Sequence, residues 1–191
     1  MRGTTPPPAE PAEPGARRSL RALLRAGPTA RAIARADLRL YRAIRSSARP
    51  PALGVVGRLS SLGEDAGIWL VLGAAGMAVD RRRRERWRRA ATAVAGTYAL
   101  NTAIKGVFRR ARPTLEDLPA LIATPTALSF PSAHASSSFA AARAYSALLP
   151  AGPLYATAAA MALSRVYLGV HYPTDIAAGA VLGTVAGSAG R

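Results

Sequence analysis

Apolar residues along this chain gather into five stretches that are nearly free of charge and are joined by short polar or basic connections. They cover residues 66–79, 90–108, 130–149, 154–170 and 174–189. Spans of about 15–20 residues suit helices that cross the hydrocarbon of a bilayer, some at the short end of the range. The pattern predicts an all-α fold, an integral membrane helical bundle with about five transmembrane helices. A soluble bundle of buried Ala-rich helices is the competing reading, and so many apolar runs on short loops weigh against it. The turn between the third and fourth stretches is predicted at Pro150-Ala151-Gly152-Pro153.

Upstream of the first stretch the pattern changes. Residues 1–16 hold Pro6, Pro7, Pro8, Pro11 and Pro14 and read as a disordered tail. No apolar run follows that would make a cleavable signal peptide. Between residues 17 and 50, Leu20, Leu23, Leu24, Ile33, Leu38, Leu40, Tyr41 and Ile44 are interleaved with arginines. That is the pattern of basic amphipathic helices lying on a membrane surface, broken near Gly27-Pro28. The expected organisation is a tail over 1–16, surface helices over 17–50 and a transmembrane domain over 51–191. A sixth, weak crossing drawn from residues 29–62 is opposed by its arginines.

Composition sharpens this picture. Half of the 191 residues are hydrophobic but only 6% are aromatic, so small side chains supply much of the apolar surface. Helices built this way can approach one another closely within a bilayer, inside one copy or between copies. The net charge of +16 could suggest nucleic acid, but the arginines concentrate in residues 1–49 and 80–89. There is no aromatic-studded basic surface and no zinc-finger spacing, so no nucleic-acid partner is expected. Basic flanks on a membrane protein account for the charge instead. The short loop 80–89 holds seven arginines, which places it in the cytoplasm and the opposite ends of the helices outside. Twelve arginines up to Arg58 pull the other way, but only Arg45, Arg49 and Arg58 lie near the first span. Cysteine is absent, which removes disulfide and thiol chemistry. Twenty-five arginines against one lysine, with abundant alanine, fit a GC-rich bacterial genome and hence a bacterial plasma membrane.

The candidate chemistry lies in three ordered clusters: Lys105-x6-Arg112-Pro113, Pro131-Ser132-Ala133-His134, and Ser164-Arg165-x5-His171-x3-Asp175. They contain both histidines and the only lysine of the chain. If the helices alternate, all three converge on the face opposite loop 80–89. Lys105 and Arg112, seven residues apart, would share one face of a helix that Pro113 ends. Pro131 suits the first position of a helix, which puts Ser132, Ala133 and His134 on a first turn whose free N–H groups can bind phosphate oxygens. Arg109 and Arg110 read as a helix end reaching lipid headgroups. Gly169 and Pro173 imply that a helix ends before His171 and another opens with Asp175 in its first turn. Asp175 can then orient His171, leaving the other ring nitrogen nucleophilic. The plainer alternative pairs Arg165 with Asp175 in a structural salt bridge.

Together the clusters resemble the three signature motifs of the type 2 phosphatidic acid phosphatase superfamily, over residues 60–189. Ala133 departs from the family, which most often has Gly there, but it keeps the backbone N–H. The resemblance implies a membrane lipid phosphatase in which His171 attacks phosphorus, Asp175 holds its imidazole and His134 protonates the leaving oxygen. It further implies that Lys105, Arg112, Arg165, Ser132 and the Ala133 amide hold the phosphoryl oxygens, with no metal and no cofactor. The expected substrate is a lipid phosphate, first a polyprenyl carrier such as undecaprenyl or decaprenyl diphosphate or decaprenyl-phosphoryl-phosphoribose. Phosphatidic acid and phosphatidylglycerol phosphate come second. A non-enzymatic anchor for anionic lipid would leave the clusters idle, and a transporter would call for an inverted repeat that is not evident.

Overall fold

The computed structural model describes residues 27–191. Seven α-helices follow one another among these residues: α1 (Pro28–Ser46), α2 (Pro50–Leu62), α3 (Gly67–Val79), α4 (Arg84–Phe108), α5 (Ala133–Tyr145), α6 (Ala151–Tyr167) and α7 (Pro173–Gly187). Residues 36–191 belong to one compact unit, and residues 28–35 form the first turns of α1. The predicted tail over 1–16, and residues 17–26 of the predicted surface helices, lie outside the described residues.

Local signals explain most helix limits. α2 and α7 open on proline, whose missing N–H is not needed in a first turn. Between α3 and α4 the Asp80 carboxylate accepts from the Arg83 backbone N–H at 3.3 Å, satisfying an amide at the turn, and from the Trp87 indole Nε1 at 3.2 Å. The break before α7 depends on Gly169, whose φ of +81° suits a residue without a Cβ. The predicted turn at Pro150–Pro153 falls differently: Pro150 is the N-cap of α6, so Gly152 and Pro153 lie within its first turn. A proline there forfeits no intrahelical hydrogen bond.

α5 is the central helix, buried along nearly its whole length. Trp69 of α3 donates to Ser138 Oγ at 2.9 Å, and Tyr145 OH returns to the Trp69 carbonyl at 2.8 Å. Trp87, Val94 and Met161 complete this core from α4 and α6. Against α7 the packing is closer still. A Cβ on Gly179, Gly183 or Gly187 would stand 2.7 Å from Ser132 O, 2.2 Å from Ser136 O or 2.5 Å from Ala140 O, respectively. These glycines recur every four residues, so one face of α7 lies backbone to backbone on α5.

Each of the five apolar stretches contains one helix, but the helices are not five clean spans. No single helix among the described residues is long and apolar enough to cross a membrane. α5 has 13 residues and reaches only about 20 Å, because Ser132 starts it late and Ser146 ends it early. α4 has 25 residues, but its first two turns carry Arg84, Glu85, Arg86, Arg88 and Arg89. α2 and α3 together are long and apolar enough, bent by 53° at their junction. The weak crossing over 29–62 is split at residues 47–49. From Asp37 onward α1 does not thread the bundle, because Asp37 bonds to Thr174 in the first turn of α7, and Tyr41 and Arg45 bond to Gly169 O and Pro119 O in the connections at that end.

Candidate active site

That end of the bundle brings the three sequence clusters together. The C-terminal ends of α4 and α6 meet the N-terminal turns of α5 and α7 there. Loop 80–89 lies at the other end, where Arg83 Nη1 reaches Leu148 O beyond the end of α5 at 3.5 Å. α4 ends at Phe108, and Arg109 takes a left-handed conformation with its N–H on Lys105 O, a common helix stop. Arg112 is therefore not on a helical face with Lys105. It arrives through a loop pinned by the Ala111–Leu128 bridge and by Arg112 N on Ala127 O at 3.2 Å. Its side chain is fixed by Thr126 O and Val170 O, each at 2.8 Å.

Its Nη1 also lies 3.1 Å from His171 Nε2. A guanidinium only donates, so Nε2 is the unprotonated nitrogen and the ring proton sits on Nδ1. Nδ1 faces Asp175 Oδ2 at 3.4 Å and has no shorter polar partner among the described residues. His171 is 1% exposed. Burial pushes its imidazole down to about 4, with Asp175 pulling upward and Arg112 adding to the downward push. The ring is thus neutral across the ordinary pH range, with its Nε2 lone pair facing the Arg112 guanidinium.

α5 begins two residues later than its proline suggests. Ser132 is the N-cap, its Oγ accepting from Ala135 N at 3.4 Å, and Ala133 is the first helical residue. Ser132 N donates to the Asp175 carbonyl at 3.0 Å, which ties the start of α5 to the start of α7. His134 Nε2 lies 2.9 Å from Ser60 O. A carbonyl only accepts, so Nε2 carries the proton and Nδ1 is the basic nitrogen. Arg165 is 4% exposed and donates from Nη1 to Ser60 Oγ at 2.5 Å, while its Nε has no partner among the described residues. Lys105 is half-buried, makes no hydrogen bond or ion pair among the described residues, and lies within the electrostatic reach of Arg112, Arg165 and His134. The alternative Arg165–Asp175 salt bridge does not form.

Asp175 pairs instead with Arg110, whose Nη1 donates to Oδ1 at 2.8 Å. Arg110 is therefore not a headgroup-reaching arginine, because the turn at Arg109 swings it inward while Arg109 itself stays exposed. Three residues near the site carry no motif: Arg110, Asp37 on α1, and Ser60 on α2, which touches both His134 and Arg165. Asp37 offered one signal, as the only acidic residue between positions 28 and 49.

The family model of the PAP2 superfamily matches residues 86–190, the region that supplies both histidines and every cation of the clusters. The chain belongs to the PAP2 superfamily. It is a phosphatase, and enzymes of this superfamily work without a metal ion. The chain is 40% identical over 144 residues to decaprenylphosphoryl-5-phosphoribose phosphatase of Mycobacterium tuberculosis, covering 73% of this chain and 79% of that protein. The phosphatase of the same name from Mycolicibacterium smegmatis is 41% identical over 133 residues, 69% of this chain and 73% of the relative. Among solved structures, Aquifex aeolicus LpxE superposes with a TM-score of 0.71 at 26% identity, over 80% of this chain and 93% of that one. A transmembrane PAP2-type phosphatidylglycerolphosphate phosphatase from Bacillus subtilis shares the fold, with a TM-score of 0.66 at 24% identity over 88% of this chain and 87% of its own. The all-helical fold is thus shared with these two solved phosphatases.

Proposed function

We propose that this PAP2 phosphatase hydrolyses the terminal phosphomonoester of a polyprenyl-phosphoryl-phosphoribose, the substrate named for its mycobacterial relatives, through a phosphohistidine on His171. The observation that carries the mechanism is the placement of the His171 ring between Asp175 and Arg112. Its Nδ1 faces Asp175 Oδ2 at 3.4 Å and its Nε2 lies 3.1 Å from the Arg112 guanidinium, which supports a proton on Nδ1 and a lone pair on Nε2. A phosphoryl group drawn in by Arg112, Arg165 and Lys105 would displace the guanidinium from Nε2 and present phosphorus to it. The Ser132 hydroxyl and the Ala133 amide add donors at the start of α5.

As the Nε2–P bond forms, the P–O bond to the ribose breaks, and the protonated form of His134 gives its proton to the departing oxygen. His134 then accepts a proton from water, whose oxygen attacks phosphorus and returns His171 to its neutral form. Three cations stabilise the equatorial oxygens in a buried site where their charge acts at full strength.

In this reading the chain crosses the bilayer five times, first through the bent pair of α2 and α3 and then through α4, α5, α6 and α7. The arginine-rich loop 80–89 faces the cytoplasm and the active site opens on the extracytoplasmic side. The first turns of α1 read as part of a basic membrane-surface element, and the phosphatase domain takes in the chain from about residue 36.

Two measurements test the reading. Phosphate release from decaprenyl-phosphoryl-5-phosphoribose, phosphatidic acid and phosphatidylglycerol phosphate is expected to favour the polyprenyl substrate. Equal or greater turnover of either glycerolipid would overturn that choice. The pH profile of kcat/KM tests the nucleophile. Only neutral His171 attacks, and the neutral form prevails above its value of about 4. After allowance for the phosphate ester's own ionisation near pH 6, the acid limb is expected to fall with a midpoint between roughly pH 4 and pH 5. A His171-dependent limb at 6.5 or higher would contradict a buried neutral imidazole.

A further inference from the structure

Behind the nucleophile stands an ordered chain of charged groups that no step of the reaction consumes. Asp37 lies on α1, outside the matched family region of residues 86–190. Its carboxylate is buried and accepts from Arg110 Nη2 at 2.7 Å, Thr174 N at 2.9 Å and Thr174 Oγ1 at 2.6 Å. Arg110 Nη1 in turn donates to Thr174 Oγ1 at 2.7 Å and to Asp175 Oδ1 at 2.8 Å. The guanidinium lies 4.3 Å over the ring of Tyr172, the residue after His171, so its fork is held in position and in plane.

Asp175 is fully buried and has two oxygens to satisfy. Oδ2 serves Tyr172 N at 2.9 Å and faces His171 Nδ1. Oδ1 belongs to Arg110. Releasing Oδ1 would leave the carboxylate held through Oδ2 and Tyr172 N alone, free to pivot about that bond, and would loosen the aim of Oδ2 at His171 Nδ1. Bringing two carboxylates and much of one guanidinium out of water is a costly way to hold helices together, since apolar packing does as well or better. It is an effective way to fix the direction of one carboxylate, as outer hydrogen-bond partners do for metal-ligating side chains.

We propose that Asp37 and Arg110 are positioning residues of the phosphoryl transfer: Asp37 fixes the Arg110 guanidinium, which locks Asp175 in the orientation that serves His171, so that α1 is part of the active site. The proposal rests on His171 as the nucleophile. Neither residue touches the reacting atoms, and both act through Asp175.

The test uses the full-length protein in detergent micelles with decaprenyl-phosphoryl-5-phosphoribose as substrate. Asp37→Asn, Arg110→Lys, Arg110→Met and the double variant Asp37→Asn/Arg110→Met are compared with His171→Ala for kcat, KM and thermal midpoint. Asp37→Asn and Arg110→Met are each expected to lower kcat by about 10–100-fold with KM nearly unchanged. Arg110→Lys keeps the charge without the fork, so it should recover part of the loss. Asp37→Asn should cost nothing further once Arg110 is Met, because the two act in series. Should Arg110→Met fail to fold, Asp37→Asn and Arg110→Lys still decide. Wild-type kcat in both, whatever the thermal midpoint, overturns the proposal, as do independent, multiplicative losses in the double variant. Those outcomes beside an inactive His171→Ala would overturn the positioning role alone. A His171→Ala protein with wild-type turnover would overturn the nucleophile itself.

Discussion

Replacing His171 by alanine is expected to lower phosphate release by a factor on the order of 10⁴–10⁶, the scale on which removal of a nucleophile acts in other covalent hydrolases. The size is diagnostic. Removing one donor to a developing oxyanion costs about 10²–10³, which is the loss expected for Arg112→Ala or Arg165→Ala. A His171→Ala loss confined to that smaller range would mean that the imidazole merely binds the phosphoryl group. The ring is buried between Arg112 and Asp175, so truncation also leaves a cavity and an unpartnered carboxylate. Thermal melting must therefore accompany the assay, and His171→Asn offers a smaller change in volume and polarity. A folded His171→Asn protein with the full loss locates the effect in chemistry. A rapid quench should trap acid-labile, base-stable phosphate on wild-type protein and none on either variant.

Much of the helical framework is legible in the amino-acid pattern, and where it is not the reasons are local. Apolar runs locate α3 to α7, because each must bury a face in the bundle. Their limits depend on caps: Ser132 rather than Pro131 starts α5, and the left-handed turn at Arg109 ends α4 before Arg112. The spacing of seven between Lys105 and Arg112 looks helical and is not, since a helix stop at a non-glycine residue leaves little trace in composition. The motif residues are visible because rare side chains recur in order. Asp37, Ser60 and Arg110 act through contacts at long range in sequence, Asp37 to Thr174 and Ser60 to Arg165, and a single sequence does not display such pairs. Asp37 came closest to showing itself, with Tyr41 and Arg45 at successive four-residue steps on the buried side of an otherwise arginine-rich helix.

Gly183→Leu is expected to yield no folded enzyme, because the contact it breaks also sets the width of the active site. At Gly183 an added Cβ would stand 2.2 Å from Ser136 O and 2.9 Å from Ala140 N. Both are backbone atoms of the central helix, so no side chain can turn aside and α7 must move away from α5. Overpacking a core typically costs about 1–3 kcal/mol when neighbours can adjust. Here the clash repeats in kind at Gly179 and Gly187, so separating the helices at one point strips contact along the whole face. α5 carries Ser132 and His134 at its start, α7 carries Asp175 at its start, and Ser132 N bonds to Asp175 O at 3.0 Å. A shift at Gly183 is transmitted to that bond by two stiff helices. Gly183→Ala, with one methyl and the same backbone conflict, should remain folded at reduced thermal midpoint and lose activity more than in proportion to stability. Val181→Leu, on the exposed side of the same helix, should change neither. The readout is thermal unfolding followed by tryptophan fluorescence, with phosphate release measured on the same samples. A Gly183→Leu protein that melts and turns over like wild type would show that α5 and α7 do not meet backbone to backbone, and the coupling between the two halves of the site would have to come from the loop 109–132 instead.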